Sequence, residues 1–303
     1  MSEKNQSRAM LLGGCAVLLW STVATAFKLS LQWLSPLQLL AWASLFSSLL
    51  LAAAVSWQRG WGELWQVLRA RPLYSLLLGV VNPAAYYLVL FRAYDLLPAQ
   101  QAQALNYTWA LTLSLLAIPL LQQPLRRRDL IALAGGYLGA LVIATRGDLL
   151  ALRFDSLEGV VLALGSTLLW ALYWVLNTRA QASASGAVML LSCFLIGTPL
   201  IWGLMLWRGE LSLPSGAALA GALYVGLFEM GLTFLLWLGA LRAAVSVSRV
   251  GNLIFLSPFL SLLFIHFLLR EPIAPATFVG LVLIVLAVYY QQRGGPEPQA
   301  QGG

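Results

Sequence analysis

Apolar runs of nearly equal length recur from one end of this chain to the other, separated by short polar breaks. Residues 36 to 56, 72 to 91 and 186 to 207 carry no charged side chain at all. A bilayer's hydrocarbon core is crossed by about 20 helical residues, and only helices or closed barrels satisfy every backbone N–H and C=O group inside it. The runs have helix length, and the strand-length alternation of a barrel does not occur. Of the 303 residues, 60% are hydrophobic and 10% charged, too apolar a balance for a soluble globular domain. The fold class that follows is an all-α membrane protein in a lipid bilayer.

Bounding the runs by charge, Pro or Gly predicts ten transmembrane helices. They cover roughly residues 10 to 29, 36 to 56, 72 to 91, 98 to 121 and 129 to 145, then 157 to 178, 186 to 207, 214 to 240, 244 to 268 and 273 to 291. Connections are short, so no soluble catalytic domain is expected. Lys and Arg set the orientation. With the N-terminus inside, the inner segments hold twelve of them, Arg126, Arg127 and Arg128 included, and the outer segments six, Lys28, Arg92 and Arg270 included. Both termini are therefore expected in the cytoplasm of a multi-pass protein. This bias accounts for the formal net charge of +7, and no nucleic-acid partner is implied.

The start of the chain, Lys4 and Arg8 followed by an apolar run and Ala24-Thr25-Ala26, imitates a cleavable signal peptide, but the run outlasts the apolar region of one. The tail, residues 293 to 303, reads as disordered. Cys15 and Cys193 fall inside runs and read as packed thiols, and a single histidine, His266, leaves no metal constellation.

Laid over itself at an offset of 147, the chain aligns LLLGVVNPAAYYLVLFRAY, ending at Tyr94, with LYVGLFEMGLTFLLWLGAL, ending at Leu241. Gly79 then meets Gly226, Ala93 meets Ala240, and Asn82 meets Glu229. Nearby offsets lay Leu18-Leu19-Trp20 over Leu168-Leu169-Trp170, Asn106 over Asn252, and Gln123-Pro124 over Glu271-Pro272. Residues 1–148 and 149–292 thus form two units of five helices each. Five is odd, so the second unit enters the membrane from the opposite side, which makes two inverted five-helix repeats. In carriers built this way substrate binds near the midplane between halves that rock to expose it alternately.

Glu229 stands alone in the middle of its apolar run. A carboxylate at bilayer depth costs a few kcal/mol, so it is expected to face a cavity or a partner and to mark a functional site. Three roles are open to it: pairing with a substrate ammonium, exchanging a proton for substrate, or resting as a neutral acid bonded to a neighbour. Its repeat partner Asn82 is uncharged, so the symmetry of the fold does not demand the acid. Helical spacing places other polar and aromatic residues on single faces of five helices. The resulting candidate substrate-binding set is Trp20, Asn82, Tyr86, Gln103, Asn106, Tyr107, Trp170, Tyr173, Trp174, Glu229, Thr233, Ser248 and Asn252.

Such faces suit a cavity that solvates a polar head group while stacking a flat apolar part. Trp and Tyr also favour membrane interfaces, and Asn, Ser and Thr also glue helices together. Trp20, Tyr86, Trp170 and Trp174 therefore read equally as cavity wall or packing, and Asn82 and Asn252 as substrate contact or glue. Pro258, Pro199 and Pro119 are expected to bend their helices, with those in the fourth and ninth as pivots. An intramembrane enzyme would need a nucleophile with a base or two close acids. Neither is present, so no enzymatic activity and no cofactor are expected.

Over residues 10 to about 290 the chain resembles the drug/metabolite transporter superfamily, and within it the EamA type. The resemblance is carried by NLIFLSPFLSLLFIHFLLREPIAPATFVGLVLIVLAV from Asn252, with Ser257-Pro258, Glu271-Pro272 and Gly280, and by the ten-helix inverted plan. Gln123 departs from the Glu that the family often has before this proline. The opening LLGGCAVLLWSTVATAFK and the stretch NPAAYYLVLFRAY resemble the bacterial aromatic amino acid exporter branch. That likeness implies an inner-membrane exporter of aromatic and other neutral amino acids; the partners expected are the bilayer and a small-molecule substrate, with the chain a monomer or a dimer. The alternative is an exporter of cationic drugs, in which Glu229 and the aromatic faces would cage a quaternary ammonium. A carrier of phosphorylated substrates would want basic residues at depth, and the runs hold none there.

Overall fold

The computed structural model describes residues 4–151, 154–180 and 184–292, and every regular element among them is helical. The helices are α1 (Gln6–Ser30), α2 (Pro36–Trp57), α3 (Trp61–Ala70), α4 (Pro72–Leu96), α5 (Ala99–Leu121), α6 (Arg127–Ala144), α7 (Leu157–Ala180), α8 (Gly186–Trp207), α9 (Gly216–Ala243), α10 (Arg249–Leu269) and α11 (Pro275–Gln292). Among the described residues, nine helices are long and apolar enough to cross a membrane, all but α3 and α6. α6 falls short of that measure because its 18 residues open with Arg127, Arg128 and Asp129. α3 is a short amphipathic helix additional to the ten runs, with Trp61 and Trp65 exposed and the Arg69 guanidinium over the Trp65 ring. The predicted disordered tail lies outside the described residues.

Local chemistry fixes the helix ends. Ser35 caps α2 with Pro36 in its first turn, and Gln38 reaches back to the Ser35 amide, so two orphan donors are satisfied at once. Ser185 caps α8 through the Val188 amide. α5 and α10 both end on a residue in the left-handed conformation, Gln122 at φ 54° and Arg270 at φ 55°, directly before Gln123-Pro124 and Glu271-Pro272.

Four spanning helices are interrupted, and the interruptions fall at corresponding places of the 147-residue alignment. α4 opens into a wide π-helical turn over Val80–Ala85, and α9 into another over Val225–Leu232. In α4 the cause is Pro83, which lacks an N–H and pushes the preceding Asn82 to extended backbone at φ −139° and ψ 119°. In α9 the wide turn is supported by side chains: Thr233 donates to the Phe228 carbonyl five residues back, and Ser47 of α2 donates to the Met230 carbonyl at 2.9 Å. Freed backbone groups within a membrane must be satisfied in this way. α5 breaks at Tyr107–Thr108 and α10 tightens to a 3-10 turn over Asn252–Leu256. The break in α5 therefore lies at Tyr107, about three helical turns before the Pro119 expected to bend it.

Close backbone crossings tie the bundle together. α6 and α11 meet where a Cβ on Gly139 would stand 2.6 Å from the Gly280 carbonyl, and one on Gly280 2.5 Å from that of Gly139. Gly79 of α4 sits equally close on α8, against the Cys193 carbonyl at 2.8 Å, and its alignment partner Gly226 of α9 on α2, against the Ala43 carbonyl at 2.4 Å. Small residues permit this approach where lipid supplies no hydrophobic drive for helix association. Cys193 is buried as expected, whereas Cys15 is exposed on the outside of α1.

Candidate functional site

A cavity of about 310 Å³ lies between α1, α4, α5, α7, α9, α10 and α11. Gln6 marks the near face of the bundle and Ser30 the far face, at the two ends of α1. The far end of the cavity is walled by Phe27, Leu90, Tyr94 and Gln103, all buried. Toward the near face its wall includes half-buried Trp109 and Trp237 and exposed Gln292, so the cavity reaches the surface there.

Glu229 projects into this space from the wide turn of α9 and is 8% exposed. Its Oε1 accepts from the Tyr87 hydroxyl at 3.2 Å, the Trp20 indole stands against the same carboxylate, and Oε2 finds no hydrogen-bond partner among the described residues. A buried carboxylate oxygen in that condition leaves a strong acceptor for whatever enters the cavity.

Aromatic rings surround the acid. Trp170 stacks with Tyr86 at 4.6 Å and with Tyr173 at 5.6 Å, and Trp174 stands edge-on to it at 5.9 Å. Trp20 meets Phe234 at 5.6 Å and Trp237 at 5.5 Å. Each contact fixes its neighbour's orientation, so flat apolar faces are presented without further ordering of the side chains. Hydrogen-bonding groups share the wall with these rings. Asn106 donates to Ser166 at 2.9 Å, and Gln103 accepts from the Ser261 hydroxyl. No Lys or Arg lines the cavity among the described residues.

Of the candidates taken from the sequence, Trp20, Tyr86, Gln103, Asn106, Tyr107, Trp170, Trp174 and Glu229 line the cavity. Asn82 does not: it is 2% exposed and sits where α4 breaks against α8, with Pro83 packed on Gly197. Tyr173 is buried and stacks on Trp170 without lining the cavity. Thr233 spends its hydroxyl on the α9 backbone. Asn252 is exposed on the outside of the 3-10 turn, and the Ser248 side chain lies outside the described residues. At Asn82, Thr233 and Asn252 the reading by helical periodicity assumes unbroken helices, and each wide or tight turn rotates the residues around it. Phe27, Tyr94, Trp109, Phe234 and Gln292 also line the cavity and were absent from the sequence set. Phe234 lies five residues after Glu229, a spacing that joins one face only across a π turn.

The profile of the EamA-like transporter family matches this chain twice, over residues 7–145 and 157–290. An uncharacterized transporter of Archaeoglobus fulgidus is 25% identical over 289 residues, covering 93% of this chain and 96% of its own length. The uncharacterized transporter YvbV of Bacillus subtilis is 24% identical over 296 residues, covering 95% of this chain and 92% of its own. A solved crystal structure superposes with a TM-score of 0.65 at 23% identity, covering 94% of this chain and 96% of the other, and shares its fold. With matches that span almost the whole of a multi-pass helical protein, this chain belongs to the EamA-like transporter family.

Proposed function

We propose that this protein exports small amphiphilic metabolites, foremost aromatic and other neutral amino acids, by alternating access across a bacterial inner membrane with both termini in the cytoplasm. The observation that carries this reading is the Glu229 carboxylate, with one oxygen unpartnered among the described residues, inside a box of aromatic rings. The acid suits a substrate ammonium, the surrounding aromatic rings suit a flat side chain, and Gln103 and Asn106 suit a carboxylate. α6 serves as the fifth crossing, its charged first turn at the near face, which makes ten spans in two inverted repeats. The paired interruptions of α4 with α9 and of α5 with α10, and the double family match, support that plan. The closed far end and the near-face outlet are one of the two states such a carrier visits.

The test is uptake of radiolabelled phenylalanine and tryptophan into proteoliposomes, with and without an imposed pH gradient, for the wild type and Glu229→Gln. Saturable uptake competed by other aromatic amino acids supports the substrate class, and loss of gradient dependence in the variant gives Glu229 the coupling role. One observation favours a second reading, export of quaternary ammonium compounds: no basic side chain lines the cavity among the described residues to receive a carboxylate. Transport of a quaternary cation with no transport of any amino acid would establish it instead.

A further inference from the structure

The two faces are fastened differently, the far one closed and the near one open to the cavity. At the far face Glu271 accepts from the Ala99 and Gln100 amides, which open α5, at 3.1 and 3.4 Å, and from the Gln100 side chain at 2.8 Å. Gln100 in turn donates to the Pro272 carbonyl and accepts from the Ala274 amide, both at 2.8 Å. Lys28 adds bonds to the Tyr94 and Leu97 carbonyls at 2.6 and 2.7 Å. This knot ties the start of α5 to the turn between α10 and α11 and closes the cavity beyond Phe27 and Tyr94.

The offset that pairs Asn106 with Asn252 pairs Ala99 and Gln100 with Val245 and Ser246. The Val245 and Ser246 amides also share one side-chain oxygen, at 3.0 and 2.8 Å, but it belongs to Gln6 at the start of α1. Gln123, which corresponds to Glu271, is exposed in a near-face groove beside Trp109, Asp129 and Gln291. Its backbone is set as that of Glu271 is: each follows a left-handed residue and precedes a proline. The near face therefore holds the parts of a second knot, untied, with Gln6 occupying its place.

We propose that Gln123 is the near-face latch of the transport cycle. When the cavity turns to the far face, the Gln123 side chain takes the Val245 and Ser246 amides from Gln6, while Glu271 releases those of Ala99 and Gln100. The inference rests on the alternating-access reading above. Exchanging one amide oxygen for another leaves the same two amides satisfied, so the near-face step costs little in hydrogen bonding. Glu271 holds its amides with a charged acceptor, and charge-assisted bonds are roughly twice as strong as neutral ones. The Glu and Gln of the two turns thus set the resting bias toward the far-closed state seen here.

The experiment removes the native thiols with Cys15→Ser and Cys193→Ala and places a reporter at Leu90→Cys, on the far cavity wall. In oriented proteoliposomes a membrane-impermeant maleimide is applied to one face at a time. The reporter should label from the near face with native latches. In the exchange Gln123→Glu with Glu271→Gln its far-face labelling should rise by about tenfold, the population change that 1.4 kcal/mol brings. A disulfide between Gln123→Cys and Ser246→Cys, which leaves Glu271 intact and covers a misfolded exchange variant, should make the reporter accessible from the far face alone. Unchanged far-face labelling in a folded exchange variant, or a formed disulfide with the reporter still open to the near face, overturns the latch. Neither readout needs a substrate. A reporter that switches faces in a protein that moves no amino acid sustains the latch and removes the substrate reading, whereas amino acid transport with an indifferent reporter does the reverse.

Discussion

α4 and α9 align residue for residue, break at the same place, and press a matched glycine onto a neighbouring helix, yet one presents an amide to packed protein and the other an acid to a cavity. The route to each break explains the contrast. In α4 a proline forces Asn82 into extended backbone and α8 packs over the break through Gly197, so the side chain is enclosed. In α9 no proline intervenes, the chain stays helical through a wide turn, and the extra residue aims Glu229 inward between Trp20 and Tyr87. Symmetry supplies two weak points in the helices, and only the chemistry at each decides whether it becomes a binding feature or a joint. π turns concentrate at functional sites for this reason.

The comparison is tested most severely by removing the acid. Glu229→Gln is expected to lower uptake about 100-fold, since taking away one partner of a buried charged contact costs about 2–5 kcal/mol, while Asn82→Ala should stay within about threefold. Initial rates in proteoliposomes, normalised to folded protein, decide it, and equal losses in the two variants would erase the distinction.

The backbones, by contrast, should respond alike. Gly79→Ala and Gly226→Ala both drive a Cβ into a carbonyl closer than contact allows, and each should cost about 1–3 kcal/mol through overpacking. Thermal unfolding in detergent measures this, and a variant as stable as the wild type would show that its crossing is loose.

Tyr87→Phe removes the hydroxyl that donates to Glu229. Leaving a buried acceptor unmatched costs about 1–3 kcal/mol, so uptake should fall roughly tenfold with the protein still folded. An unchanged rate would mean that Glu229 is positioned by its helix alone. The smallest effect is expected at Trp170→Ala. Stacked aromatic contacts are worth about 0.5–1.5 kcal/mol each, so competition by tryptophan should weaken about threefold to tenfold and competition by alanine should not change. Equal weakening for both would move Trp170 from substrate contact to scaffold.

Much of the architecture was legible because a bilayer admits so few backbones: run length and charge placement alone forced an all-helical membrane protein and located, to within a few residues, the nine spans found among the described residues. Glu229 was legible because a lone acid in an apolar run is costly wherever it is not used. The offset of 147 brought out Asn82 with Glu229 and the neighbouring offset of 148 Gln123 with Glu271, and the structure places both pairs at corresponding breaks and turns. Which face each residue presents was not legible. A 3.6-residue period holds only along an unbroken helix, and four of the helices bearing candidates are broken, so Thr233 and Asn252 were assigned to a wall they do not reach. Nor did pattern show that Phe27, Tyr94 and Phe234 close the cavity, because an aromatic residue in a membrane helix has the same composition signal whether it faces lipid, a neighbour or a ligand. By itself the sequence determined the solvent this protein lives in, the number and length of its apolar runs, and the one acid they shelter, since those follow from the cost of polar groups in hydrocarbon. Only the tertiary structure decided which rings surround that acid and which face of the bundle is closed, since those depend on how broken helices rotate against one another.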